Sequence, residues 1–69
     1  MSLREEFAIL IMKSKFYLAE NSVDAKRQER YQNAEDECYG FLNEYPESKE
    51  RDTAEKYIAI CKKYTGNTE

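Results

Sequence analysis

The chain has no histidine, one proline, two glycines and two cysteines in 69 residues. The missing histidine removes imidazole acid–base chemistry and histidine metal ligation. Scarce glycine and proline argue against a small β fold, which needs a turn every few residues. Cys38 and Cys61 stand far apart with no Cys-x-x-Cys pair. A structural zinc site takes about four cysteine or histidine ligands, so no metal or other cofactor is expected. The longest apolar run, Phe7 to Met12, falls far below the roughly 20 residues of a spanning helix. No secretory leader is evident either. The expectation is a cytosolic chain or a piece of a longer exported one.

Basic residues are outnumbered, 11 against 14, leaving a net charge of −3. That balance argues against nucleic-acid binding, which favours a basic excess or stripe. What is abundant is helix former: Ala, Leu, Glu, Lys, Gln, Arg and Met make up about half of the chain. The fold class expected is therefore all-α. A chain this short buries little surface and usually needs a disulfide, a metal, a partner or self-association.

Three helices read out as a single module over residues 1–69. Helix A is expected over about 3–20. Asn21-Ser22-Val23-Asp24 follows, and Ser22 or Asp24 can cap the next helix. Helix B is expected over about 25–45. Pro46 disfavours helical geometry at Tyr45, and Ser48 is a suitable N-cap. Helix C is expected over about 49–64, with Gly66 at its C-terminal cap and a frayed tail.

Drawn at 100° per residue, helix B carries one apolar stripe, Tyr31, Ala34, Cys38, Phe41, Leu42 and Tyr45. Helix C also carries one, Ala54, Tyr57, Ile58, Cys61 and Tyr64. Helix A carries two. One face holds Leu3, Phe7, Leu10, Ile11, Tyr17 and Leu18; the opposite face holds Ala8, Ile9, Met12, Phe16 and Ala19. Such a helix is expected to be buried on both sides. Helices B and C can cover one side. Ala8, Ile9, Met12, Phe16 and Ala19 are expected to meet another chain or a neighbouring repeat. The alternative is a three-helix bundle with helix A threaded centrally.

Catalysis finds little support. Glu5, Glu6, Glu35, Asp36 and Glu37 sit in helical runs expected to be solvated, and a cysteine nucleophile would lack its usual base. The expectation is no enzyme. Both cysteines are expected in the core as small apolar groups. A B–C hairpin offsets them too far for a disulfide. Lys26, Arg27 and Arg30 form a basic cluster that could meet phosphate or a partner, though Asp24 and Glu29 offset it. Tyr39 falls off the helix B stripe and is a candidate contact residue.

The spacing of Ala34, Cys38, Phe41 and Pro46, with Leu10, Ser14 and Tyr17 before them, resembles a tetratricopeptide hairpin. In that reading Ala34 and Ser14 let the helices approach. The arms are longer than standard, and helix C serves as a cap. The runs Lys13 to Ser22, Glu29-Arg30-Tyr31, Phe41 to Ser48 and Ala54-Glu55-Lys56 are similar to the C-terminal repeat of BamD-type lipoproteins. The resemblance covers residues 4 to about 64. It implies a non-catalytic scaffold of the outer-membrane β-barrel assembly machinery, holding other protein subunits. It also implies a place at the periplasmic face of the membrane, with the lipid anchor and further repeats upstream. The alternative is a stand-alone cytosolic adaptor that homodimerises through helix A.

Overall fold

The computed structural model describes residues 2–23 and 25–65. It contains three helices: α1, Leu3–Glu20; α2, Arg27–Glu44; and α3, Arg51–Thr65. Among the described residues there is no strand. The all-α, three-helix class is therefore what the sequence implied. The expected caps at Asp24 and Gly66 and the tail beyond Thr65 lie outside the described residues.

The helix ends follow local chemistry, with three adjustments. Ser2 caps α1, its Oγ accepting from the Glu5 N–H at 3.0 Å, and Glu5 and Glu6 sit in the first turn, where the helix dipole favours negative charge. At the other end, the Asn21 side-chain amide donates to the Tyr17 carbonyl at 2.9 Å. Ser22 does not cap α2. Its hydroxyl donates to the Leu18 carbonyl at 2.8 Å and accepts from Arg30 Nη1 at 2.7 Å, so it ties the end of α1 to the side of α2. With Lys26 at the N-cap position and no side-chain cap bond, α2 starts at Arg27, two residues later than expected. Ser48 caps the turn before α3, accepting from the Glu50 N–H at 3.1 Å, and α3 proper starts at Arg51.

The middle helix is α2, packed against α1 on one side and α3 on the other. This rules out the alternative of a bundle with helix A threaded centrally. Short connections make sequential helices neighbours, and that places the second helix between the other two. The Cα envelope is thin, 37 × 24 × 13 Å.

One core cluster joins Ile9 and Met12 of α1 to Cys38 and Phe41 of α2 and Ala54 and Ile58 of α3. A second joins Phe16, Ala19, Tyr31, Ala34 and Cys61. Burial inverts the assignment made for α1. Ile9, Met12, Phe16 and Ala19 are buried within the chain, Met12 completely, and Ala8 packs partly against the first cluster. The face offered to another chain is thus the inward face. Ala8 and Ala19 are small enough to admit neighbouring helices, whereas Leu3, Phe7, Leu10 and Tyr17 are left pointing away. Ser14 is exposed as well, so Ala19, not Ser14, lies opposite Ala34 in the core.

Aromatic rings bind the helices together. Phe16 stacks on Tyr57 with 3.9 Å between centroids and meets Tyr31 edge-on at 6.3 Å. Tyr31 stacks on Tyr64 at 4.3 Å. Tyr64 nevertheless stays exposed, a correction to its place in the helix C stripe. The outward side of α3 is charged, with Arg51, Glu55, Lys56, Lys62 and Lys63 all exposed and an Arg51–Glu55 pair at 3.2 Å.

Candidate interaction surface

Six large apolar side chains on α1 remain exposed: Leu3, Phe7, Leu10, Ile11, Tyr17 and Leu18. Leu3 is 83% accessible and Phe7 69%. Single exposed apolar residues are ordinary, but a contiguous stripe of six on one helix marks an interaction surface.

The stripe opens on one flank into a groove between α1 and α2. This groove encloses about 400 Å³ and is lined by Arg4, Phe7, Ala8, Ile11, Gly40 and Phe41, with Tyr45 at one end and Glu37 and Glu44 on the rim. Its floor is Gly40, an exposed residue in the interior of α2. Glycine there costs about 1 kcal/mol against alanine. No atom of this chain asks for it, because a Cβ added at Gly40 would meet nothing within 4 Å. Further along, Lys15 crosses from α1 to Glu37 at 3.1 Å. Beyond it, Leu18 and Lys15 line a smaller recess with Arg30 and Asn33 of α2.

On the opposite flank Lys13 reaches Glu50 at 3.6 Å, just ahead of α3. The Glu50 carboxyl is held below the usual carboxylate range, chiefly by a hydrogen bond with the Thr53 side chain and next by the Lys13 charge. Burial opposes this shift and is outweighed.

The weaker candidates are engaged within the chain to different degrees. The Arg27 guanidinium sits 5.1 Å over the Tyr64 ring, a cation–π contact. Arg30 is bonded to Ser22. Tyr39 is exposed on α2, apart from the α1 stripe. Of the carboxylates expected in solvent, Glu35 departs. It is buried, with the Thr65 hydroxyl donating to Oε1 at 3.5 Å. The last turn of α3 folds over this position, which a single-helix projection does not register.

Cys38 and Cys61 are free, fully buried thiols. Burial pushes Cys38 up to about 12 and Cys61 to about 11. Their charges would also repel each other and nearby Glu35. Burial raises the Tyr31 and Tyr57 phenols too. These are inert core groups, the reverse of an activated nucleophile. Among the described residues no three cysteine, aspartate or glutamate side chains gather where they could hold a metal ion. Nor is any described helix long and apolar enough to cross a membrane.

Comparison with protein-family models, curated proteins and solved structures finds no match to this chain.

Sequence reasoning found the two faces of α1 and assigned them the wrong way round. It missed Gly40 and the groove. The signals were present: the alanines mark the closely packed side, and a glycine in a helix interior asks for a reason.

Proposed function

We propose that this chain is a non-catalytic protein–protein interaction module that binds another helix through the outer face of α1. The observation that carries this reading is the six-residue apolar stripe and its continuity with the groove over Gly40. Amphipathic helices are received by grooves of this kind, through side chains at i, i+3, i+4 and i+7. The sequence stretches that resemble the C-terminal repeat of BamD-type lipoproteins extend the proposal. They suggest a scaffold of outer-membrane β-barrel assembly, held at the periplasmic face by an anchor outside this chain. What supports that extension is the resemblance of those stretches alone.

The test is site-specific photo-crosslinking in source cells. A photoreactive phenylalanine replaces Phe7 on the stripe or, as a control, Glu29 on the polar side of α2. Adducts from position 7 and none from position 29 are expected. Equal adducts from both positions, or none from position 7, would overturn the reading. Fractionation of the same cells tests the extension, which expects the chain with the membranes.

A further inference from the structure

Along the outer face of α1, Leu3, Phe7, Leu10, Ser14 and Tyr17 recur in alternating steps of four and three. That is the spacing of a coiled-coil seam, which faces one partner helix continuously. Glu6, Lys13 and Glu20 border the seam on the α3 side, and Arg4, Ile11 and Leu18 border it on the α2 side. We propose that a second copy of this chain occupies this face, its α1 antiparallel to the first, with Phe7 of each copy against Leu10 of the other. The inference rests on the reading of this face as a protein interface and names its occupant.

Charge selects the arrangement. A two-fold axis across the seam sets each border against its own copy in reversed order. With Phe7 opposite the partner's Leu10, Glu6 comes opposite the partner's Lys13, and symmetry repeats the pair. Sliding by one heptad sets Glu6 against the partner's Glu20 and Lys13 against the partner's Lys13, both repulsive. A parallel pairing sets the charged border against Ile11 and Leu18 and gains no ion pair. Only one of these three arrangements is self-complementary.

The groove supports the same register. Gly40 lies beside Phe7, Ala8 and Ile11, level with the centre of the seam. An absent Cβ there leaves the incoming helix room to approach the α2 backbone. The antiparallel direction also carries the partner's Arg4 to the level of Glu37, on the rim of the groove.

The paired zone spans Leu3 to Ser14 and covers on the order of 500 Å² per copy, below the about 800 Å² of a standard interface. The dimer is therefore weak, with a Kd on the order of 10 μM or above.

Sedimentation equilibrium over about 1 μM to 1 mM, bracketing that Kd, decides the matter. The mass should rise from 8.2 kDa toward twice that value. Glu6→Lys and Lys13→Glu should each weaken association by about tenfold, and the double variant should restore it to within about threefold, with circular dichroism confirming that each monomer stays folded without the Lys13–Glu50 pair. Phe7→Glu should abolish association and leave the circular dichroism of the monomer unchanged. A chain that stays monomeric across the whole range overturns the proposal, and so does a double variant that fails to recover. If the chain is monomeric but position 7 still crosslinks specifically to a different protein, the interface reading stands and the second copy falls. Loss of both results removes both.

Discussion

The rings of Phe16 and Tyr57 lie parallel, 6° apart in plane and 3.9 Å apart in centroid, and through them α1 touches α3. Both helices otherwise pack mainly on α2. Phe16 also meets Tyr31 edge-on, so one side chain contacts rings from both other helices. Offset-stacked and edge-on aromatic pairs contribute about 0.5–1.5 kcal/mol beyond the area they bury.

That pair predicts an energetic coupling. Phe16→Leu and Tyr57→Leu keep apolar bulk and lose the ring contact. In a urea-denaturation double-mutant cycle the two should couple by about 0.5–1.5 kcal/mol. Strict additivity would mean that the ring contact contributes no stability.

The two faces of α1 predict opposite tolerances. Met12 is fully buried, and Met12→Ala should cost about 2–5 kcal/mol, enough to unfold much of so small a domain. Phe7→Ser on the outer face should change monomer stability by no more than about 0.5 kcal/mol. Thermal unfolding at low concentration reads both. Equal losses would contradict the burial described here.

Gly40 predicts a divergence between folding and association. Gly40→Ala should stabilise the isolated monomer by about 0.5–1 kcal/mol, since a methyl group there meets no atom of this chain. The same change should weaken self-association, because it fills the floor of the groove. Melting at low concentration and sedimentation at high concentration separate the two effects.

The buried thiols predict how stability varies with pH. Folding raises the Cys38 pKa to about 12 and that of Cys61 to about 11. Above an unfolded value of about 8.5, the unfolded chain loses thiol protons that the folded chain retains. Their contribution is therefore complete below about pH 8.5 and declines above it, by up to about 1.4 kcal/mol per pH unit per thiol, until the folded values are reached. Tyr31 and Tyr57, also raised by burial, add to the decline above about pH 10. Urea midpoints between pH 7 and 10 should fall on the alkaline side. An aromatic disulfide reagent at pH 8 should label the thiols only as fast as the chain opens.

Helix positions were legible because their signals are local: the polar Asn21-Ser22 stretch after α1, Pro46 after α2, and the apolar stripes of α2 and α3. The choice between the faces of α1 had a fainter signal. Both faces are apolar, and the alanines on one of them were the local sign of the side that packs on the other helices. Ile9, Met12, Phe16 and Ala19 go in because Ala8 and Ala19 allow close approach along that side. Glu35 was misjudged because its cover is Thr65, 30 residues along the chain. The groove over Gly40 exists only between two helices, so no single-helix projection could display it.

The charged outer side of α3 has a consequence for assembly size. A slab apolar at both edges can add copies end over end without limit, as open filaments do. Among the described residues the exposed large apolar side chains concentrate on the α1 edge. The α3 edge presents Arg51, Glu55, Lys56, Lys62 and Lys63 to water, much as the polar outer face of a terminal repeat ends a solenoid. On the proposed pairing, growth would therefore close after a single joining event, because each copy brings one apolar edge and one charged one.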